Sequence, residues 1–343
     1  MSPTRKRRDS FFLPFRTLLE TKAISCMTLI FRDPLFQMHE TGQHPERPQR
    51  LASIEGQLAK TGLLSMCVPG SYQPANVQTI LSVHSPAQLR RVSELSEQGG
   101  GFLDGDTILS PQSYEVALAA VGVCVSAVDA VMAGESKTAL CLVRPPGHHA
   151  NQERSMGFCL FNNIALAAQH ARSAHGLSRI LIVDWDVHHG NGTQDIFYED
   201  SEITFFSIHR YGYGFYPRTG AADETGTGVG AGATFNIPVD HNISQKDYHA
   251  NFVYELEKVA DKIKPELVLL SAGFDAHRRD PIGSLCLESE DFGQMTRDVY
   301  EIARTHAQGR LISCLEGGYN LVALAESVQA HLEELLHVEG EAD

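Results

Sequence analysis

The sequence lacks three features that would each point to a broad class of protein. Positive charge is scarce: 28 Lys and Arg residues stand against 42 Asp and Glu residues, which gives a net charge of −14 and argues against direct nucleic-acid binding. The 7 cysteines form no C-x-x-C pair, which indicates reduced thiols and a cytoplasmic protein rather than a disulfide framework. We find no apolar run of the length that a bilayer span requires, so no membrane association is expected.

The chain does contain enough apolar material for one large core. Its 343 residues are 43% hydrophobic, and α/β enzymes of this size often fold as one domain. We therefore predict a catalytic domain over residues 27–340. Residues 1–26 combine a basic run with a short apolar stretch and are interpreted as a disordered extension, with a transit peptide as the alternative.

Strand-like apolar segments alternate with helical segments along the chain. After a first strand near Met27, strands are predicted at residues 138–143, 180–184, 203–208, 266–271 and 310–315. Helices are predicted at residues 49–61, 85–97, 113–132, 162–175, 245–263, 288–307 and 321–337. This alternation predicts a single α/β domain with a mostly parallel central sheet and helices on both faces.

The segment RILIVDWDVHHGNG, from Arg179 to Gly192, carries the strongest single indication of chemistry. Its apolar start predicts a strand buried on both faces, and catalytic residues of α/β proteins lie at the carboxyl ends of such strands. Asp186 and His188 are two residues apart on an extended segment, so their side chains point the same way and can bind one metal ion. The alternative is that these side chains only cap a turn.

A third metal ligand must come from another strand. Asp275 follows the strand-like segment ELVLLS, and two carboxylates with one imidazole leave a coordination position open, as in a catalytic zinc site. Two further strand ends carry His148 with His149, and Tyr319. These side chains supply proton-transfer groups and a hydrogen-bond donor, so the sequence predicts a hydrolase with one zinc ion per chain.

Together these stretches resemble the zinc-dependent histone deacetylase family, which includes the bacterial deacetylase-like and acetylpolyamine amidohydrolases. The resembling segments are HPERPQRL, RPPGHHA, GFCLFNN, VDWDVHHGNGTQDIF, SIHR, FYPRTG, LLSAGFDAH and LEGGY. They are spread over most of the chain from Met27 onward. The resemblance implies the arginase/deacetylase fold and a hydrolase that removes acetyl or longer acyl groups from the ε-amine of lysine.

The residue types and the resemblance together assign catalytic roles. A neutral His149 is the group suited to take a proton from water and return it to the leaving amine, while His148 stays charged. By resemblance, His148 faces Asp184, and His149 faces Asn191, where some family members carry Asp. Tyr319 would donate a hydrogen bond to the oxyanion.

Other residues are implied to contact the substrate. Phe158, next to Gly157, and Tyr216 correspond to the family's two aromatic walls, although most members have Phe at the second place. Asp106 would bind the substrate backbone. The alternative is that Asp106 only stabilises the turn in which it lies. Ile282 stands where an acidic residue marks one polyamine-selective branch, so we expect an acetylated lysine side chain rather than an acetylated small amine.

The resemblance also implies K⁺ beside the zinc ion. One site would use Asp184, Ser207 and the backbone oxygens of Asp186, His188 and Ile208, and the other the backbone oxygens around Phe197, Asp200 and Ile203. In the same family, the arginine-bearing residues 44–50 lie beneath the active site. The alternative is that these arginines are solvated at the start of a helix.

Two other functions remain open besides polyamine deacetylation. An arginase-like two-metal hydrolase would need carboxylates where this chain has Gly190 and His277, although Asp275-x-His277 is itself a possible ligand pair. The second is an inactive protein that only binds acetylated ligands. The presence of His148, His149 and Tyr319 argues against this function. The sequence is compatible with an oligomer.

Overall fold

The computed structural model describes residues 27–283 and 285–340; the predictions for residues 1–26 lie outside the described residues. Strands β1 to β10 comprise Leu29–Phe31, Val68–Pro69, Gly101–Phe102, Ile108–Leu109, Thr138–Cys141, Ile180–Asp184, Ile203–Arg210, Thr234–Val239, Leu267–Ala272 and Leu311–Leu315. Helices α1 to α9 comprise Gln49–Thr61, Val77–Leu81, Pro86–Glu97, Ser113–Ala133, Asn163–His175, Asn191–Phe197, Gln245–Ile263, Ser289–His306 and Leu321–Gly340.

A parallel sheet of eight strands forms the centre of the described chain, in the order β2-β1-β5-β10-β9-β6-β7-β8. Every neighbouring pair in this sheet is parallel, and the helices lie around it. Strands β3 and β4 form a separate antiparallel pair. The predicted α/β class with a parallel central sheet is therefore confirmed.

The central strands are buried on both faces, which explains their continuous apolar sequences. Every residue of β5, β6, β9 and β10 is buried. A parallel strand covered by helices on both sides has no solvent face that would select alternating polar residues. In β6 and β9 the first polar side chains, Asp184 and Ser271, come at or next to the carboxyl end of the strand.

Helix α4 corrects one expectation from the sequence. Its 21 residues, Ser113–Ala133, are long and apolar enough to cross a membrane by length and composition alone. This differs from the expectation that no apolar run is long enough to span a bilayer. In the fold, 61% of its most apolar window is buried, including Val116, Val123 and Val128, as expected for a helix that is apolar all round and packs inside a core.

Two elements near the site are not evident from the sequence pattern. Strand β8 lies at the edge of the sheet and contains Pro238, which weakens a strand signal because proline is tolerated only at such edges. Helix α6 begins directly after the segment that carries Asp186 and His188, where Gly190 and Gly192 suggest a loop. Neither element changes the predicted layer arrangement.

Candidate functional site

The predicted site residues lie at the carboxyl ends of five strands that are consecutive in the sheet: β5, β10, β9, β6 and β7. Carboxyl ends of parallel strands open into one crevice, so loops that are distant in sequence meet there. The loops carry, in that strand order, the pair His148–His149, then Tyr319, Asp275, the pair Asp186 and His188, and Tyr216.

Asp186, His188 and Asp275, which we call the metal-ligand group, are brought together by the fold. One possible ligand atom from each lies within 4.8 Å of the other two. His188 Nδ1 is 3.1 Å from Asp186 Oδ1 and 3.1 Å from Asp275 Oδ2. All three side chains are buried. Two buried carboxylates facing one imidazole concentrate negative charge, which a bound divalent cation would balance.

Two glycines and the backbone shape the space around this group. A Cβ on Gly273 would lie 2.1 Å from Asp186 Oδ2, and one on Gly317 would lie 2.4 Å from Asp275 Oδ2. The Gly317 N–H donates to Asp186 Oδ2 at 2.9 Å, and the Val187 N–H donates to Asp275 Oδ1 at 2.9 Å. Each carboxylate is thus oriented through one oxygen and presents the other to His188. This nitrogen and oxygen donor set fits zinc.

The pKa values in the metal-ligand group reflect its concentration of negative charge. Burial and the charge of Asp186 raise the pKa of Asp275 to about 7. Burial lowers the pKa of His188, but hydrogen bonds and charges from Asp186 and Asp275 outweigh burial and raise it to about 9. Both shifts follow from two acids converging on one imidazole.

His148 and His149 lie side by side, with ring centroids 4.0 Å apart, but have different partners. His148 Nδ1 is 2.9 Å from Asp184 Oδ2, and His149 Nδ1 is 2.7 Å from Asn191 Oδ1. The Asn191 Nδ2 points to the Met156 sulfur at 3.6 Å, so its oxygen faces His149. His149 must therefore donate from Nδ1, which leaves Nε2 free to accept a proton.

These partners separate the proton affinities of the two imidazoles. Burial lowers the pKa of His148, but the charges of Asp184 and Asp186 outweigh burial and raise it to about 10. Burial lowers the pKa of His149 well below its usual value, and the charges of His148 and His188 lower it further. At neutral pH, His148 is charged and His149 is neutral.

Tyr319 is held by buried charged side chains on two sides of its loop. Asp280 Oδ2 accepts hydrogen bonds from the N–H groups of Tyr319 at 2.7 Å and Asn320 at 3.2 Å. Arg50 donates to the Gly318 carbonyl at 2.6 Å, and its guanidinium carbon lies 5.1 Å from the centroid of the Tyr319 ring. Burial raises the pKa of Tyr319 well above its ordinary value, so the phenol keeps its proton and can donate.

Arg50 is buried beneath this loop, as the resemblance implies, and not solvated. Two acids that the sequence interpretation did not single out complete the support. Glu316 Oε2 accepts hydrogen bonds from the N–H groups of Gly147 at 2.7 Å and His148 at 3.2 Å. Glu46 forms an ion pair with Arg144 at 2.5 Å. In the sequence, only the position of Glu46 in HPERPQRL and of Glu316 in LEGGY, two segments that resemble the family, indicated that these acids lie near the site.

The predicted substrate-contacting residues border the same cluster. Phe158 packs edge-on against Tyr319, with centroids 5.7 Å apart, and Tyr216 packs edge-on against His149 at 5.0 Å. Gly157 adopts a φ of 55°. A Cβ on Gly157 would lie 2.4 Å from His149 Cδ2 and 2.8 Å from the Tyr216 hydroxyl, so a side chain there would displace the imidazole.

The other two residues predicted to contact the substrate, Asp106 and Ile282, lie in turns at the edge of the site. Asp106 is exposed, and its N–H donates to Asp104 Oδ1 at 3.1 Å. Burial and the charge of Asp104 raise its pKa. Ile282 is half-buried, and its N–H donates to Asp280 Oδ1 at 2.9 Å. The Asp280 carboxylate also accepts a hydrogen bond from the Tyr319 N–H, so one side chain holds both the Ile282 turn and the Tyr319 loop.

Phe215 is a further contact that the sequence interpretation missed. Its ring stacks on His188, with centroids 5.0 Å apart and an interplanar angle of 4°. The guanidinium carbon of Arg210 lies 4.3 Å from the centroid of the same ring. The side chain before the predicted wall residue Tyr216 therefore fixes the orientation of a predicted metal ligand.

The geometry does not favour a second metal at the arginase-like positions. A Cβ at Gly190 would lie 2.2 Å from Asp184 Oδ2, which leaves no room for a carboxylate side chain. His277 Nε2 lies 3.5 Å from Glu288 Oε2. Within the part of the chain that the structure describes, neither position belongs to the metal-ligand group.

The residues implied in K⁺ binding are placed as follows. Asp184 and Ser207 are register partners on β6 and β7, so their side chains emerge on the same side of the sheet. The Asp200 N–H donates to the Phe197 carbonyl at 3.0 Å, and Asp200 Oδ1 accepts from the Ile203 N–H at 3.0 Å. Asp184 and Ser207 are thus neighbours on the sheet, and the residues of the second set form a hydrogen-bonded turn.

Comparison with known proteins agrees with this geometry. Residues 44–335 match the histone deacetylase domain family. The chain is 41% identical over 301 residues to the polyamine deacetylase HDAC10 of Homo sapiens, covering 85% of this chain and 44% of that protein. It is 38% identical over 296 residues to histone deacetylase 15 of Arabidopsis thaliana, covering 85% and 53%. The chain thus spans about half the length of these two curated relatives.

Among solved structures, the crystal structure of the HDA15 HD domain is similar to this fold with a TM-score of 0.87. The two chains are 36% identical, and the match covers 91% of this chain and 88% of that one. The family match extends over the loops that form the site. The chain belongs to the histone deacetylase family.

Proposed function

We propose that this protein is a zinc-dependent deacetylase that hydrolyses the amide bond between an acyl group and the ε-amine of lysine. The observation that carries the proposal is the difference between two adjacent imidazoles beside the metal-ligand group. One is charged through Asp184, and the other is neutral with Nε2 free. Amide hydrolysis needs both a proton acceptor and a fixed positive charge at the reacting centre.

Zinc bound by the metal-ligand group supplies Lewis acidity toward the amide carbonyl and the attacking water. The residues of the chain perform the proton transfers. His149 takes the proton of the attacking water at Nε2 and then delivers it to the leaving nitrogen. His148 remains charged and stabilises the negative charge that develops, and the Tyr319 hydroxyl donates a hydrogen bond to the carbonyl oxygen as it becomes an oxyanion.

Two features support an extended acyl-lysine side chain as the substrate. Phe158 and Tyr216, on different loops, present aromatic surfaces beside Tyr319 and His149, where an aliphatic stem would pack. The Tyr216 hydroxyl adds a polar edge to one wall. Ile282 offers no negative charge to the distal ammonium of a polyamine. The likeness to a polyamine deacetylase keeps acetylated polyamines as the alternative substrate.

A direct comparison of substrates tests this preference. We expect a higher kcat/KM with an acetyl-lysine peptide than with acetylputrescine or acetylspermidine, because Ile282 offers no negative charge to the second cation of a polyamine. Release of acetate is measured for all three substrates with the same zinc-loaded protein. Ile282→Glu is the matched variant and should improve kcat/KM for the acetylpolyamines. Faster polyamine turnover by the unmodified protein would overturn the proposed substrate. Tight peptide binding without acetate release would overturn the enzymatic proposal itself.

Replacing Tyr319 by Phe should lower kcat by about 10²- to 10³-fold, the usual loss for one oxyanion donor. KM should change much less, because the phenol acts on charge that appears only in the transition state and the ring is retained. Steady-state kinetics with an acetyl-lysine peptide measures both constants. A comparable rise in KM with unchanged kcat would assign Tyr319 to substrate binding instead.

We also propose that K⁺ binds at the site that includes Asp184 and Ser207, where a buried carboxylate and a hydroxyl lie on one side of the sheet. A bound ion stabilises the folded state by mass action. The melting temperature should therefore be higher in KCl than in tetramethylammonium chloride at equal ionic strength. Ser207→Ala should reduce this difference. Identical melting temperatures in the two salts would exclude the site.

A further inference from the structure

A cluster of one carboxylate and two imidazoles lies partly exposed on helices α4 and α5, separate from the metal-ligand group. Asp129 on helix α4 faces His170 and His175 on helix α5, and one ligand atom from each lies within 4.8 Å of the others. We propose that these three side chains form a second binding site for a divalent transition metal such as zinc. This proposal does not depend on the deacetylase chemistry.

The arrangement converges on one atom. His170 Nε2 lies 2.7 Å from Asp129 Oδ1, and His175 Nε2 lies 2.8 Å from the same oxygen. The two ring centroids are 5.7 Å apart. Two imidazoles that aim their outer nitrogens at a single carboxylate oxygen bring three ligand atoms close together, and small rotations of the rings would turn both nitrogen lone pairs toward an ion between them.

The present distances are those of hydrogen bonds, and a metal needs slightly more room. With metal–nitrogen bonds of about 2.0–2.1 Å, tetrahedral ligand atoms lie about 3.3 Å apart. Each imidazole must therefore retreat by roughly half an ångström. The side chains are free to do so, since Asp129 is 54% exposed and the histidines are 23% and 25% exposed.

The donor set and its surroundings favour a transition metal over calcium or magnesium. Two imidazole nitrogens with one carboxylate suit zinc, nickel or copper, whereas calcium and magnesium prefer oxygen ligands throughout. Solvent access leaves the remaining coordination positions to water. Partial burial raises the pKa of the Asp129 carboxyl, but its hydrogen bonds with His170 and His175 outweigh burial, so the net shift of the pKa is downward.

The position of the group gives the site a structural consequence. Asp129 lies in the last turns of α4, which leads into β5 and the loop of His148 and His149. His175 is the last residue of α5, which precedes β6 and the metal-ligand group. A metal at this point would join the two helices that lead into the two halves of the catalytic centre.

Zinc titration of the holoenzyme tests the site. Protein that retains its catalytic zinc after dialysis is titrated with ZnCl₂ in a calorimeter, and we expect one further equivalent to bind. His175→Ala and Asp129→Asn should each lose this equivalent while keeping the first one and full deacetylase activity. Asp129→Asn retains the shape of the side chain, so its result remains interpretable if the histidine variant disturbs the helix.

His306→Ala is the matched control, because the partly buried His306 faces the single carboxylate of Asp261 at 3.5 Å. It should bind the further equivalent as the unmodified protein does. Absence of a second equivalent would show that Asp129 and the histidines form only hydrogen bonds. A second equivalent that persists in His175→Ala and inhibits turnover would place the extra zinc at the catalytic centre. Either result overturns the proposal.

Discussion

Replacing His149 by Ala is expected to lower kcat by about 10²- to 10⁴-fold, the usual contribution of a positioned general base. The structure gives the reason, because His149 is the neutral imidazole of the pair and directs Nε2 away from its Asn191 contact. The variant should keep its zinc, since His149 is not in the metal-ligand group. Acetate release and metal content after dialysis measure the two effects.

The neighbouring contact provides a sharper form of the same test. Asn191→Asp would place a charge beside His149 Nδ1 and raise the pKa of that imidazole. A base with a higher pKa stays protonated to a higher pH, so the acidic limb of the pH–rate profile should shift to higher pH. His306→Ala, at a histidine paired with Asp261 and not in the metal-ligand group, serves as a control with unchanged kinetics. Full activity of His149→Ala, or an unmoved profile in Asn191→Asp, would remove His149 from the role of base.

Replacing Asp186 by Ala is expected to abolish turnover through loss of the metal. Asp186 contributes one oxygen to the metal-ligand group, and its other oxygen accepts the Gly317 N–H at 2.9 Å. The substitution removes a charged ligand and also frees the loop that carries Tyr319. Metal analysis after dialysis should find the catalytic equivalent missing, and added zinc should restore little activity.

A matched surface substitution separates metal loss from general instability. Asp261 is 81% exposed and faces only His306 among its ion-pair partners in the described chain. Asp261→Ala should keep both metal and turnover. Circular dichroism of Asp186→Ala checks that the fold persists. If a folded Asp186→Ala protein retains zinc and hydrolyses acetyl-lysine, Asp186 is not a ligand and the metal-ligand group is wrongly assigned.

The fold class was accessible from sequence because its cause is local. Strands such as β6 and β9 are apolar on both faces, and this pattern follows directly from burial in a parallel sheet. The convergence of Asp186, His188 and Asp275 was accessible for the same reason, because carboxyl ends of neighbouring parallel strands share an edge. Their roles as ligands remain predictions that metal analysis must test.

The supporting contacts were not accessible, because their partners are distant in the chain. Arg50 binds the Gly318 carbonyl, and Asp280 binds the Tyr319 loop. No local pattern distinguishes a buried arginine from a solvated one at the start of a helix. For helix α4, the local pattern is clear but fits two structures. Its apolar sequence is compatible with a membrane span and with a core helix, and only its packing in the fold distinguishes them.

The position of β10 constrains how the protein can be made. It is the last strand of the sheet in chain order, yet it lies between β5 and β9. Until Leu311–Leu315 has left the ribosome, the strands β2-β1-β5 cannot join β9-β6-β7-β8, and both groups present unpaired backbone edges that invite association with other chains. During synthesis, a nascent chain therefore carries the metal-ligand group on one fragment of the sheet and the imidazole pair on another.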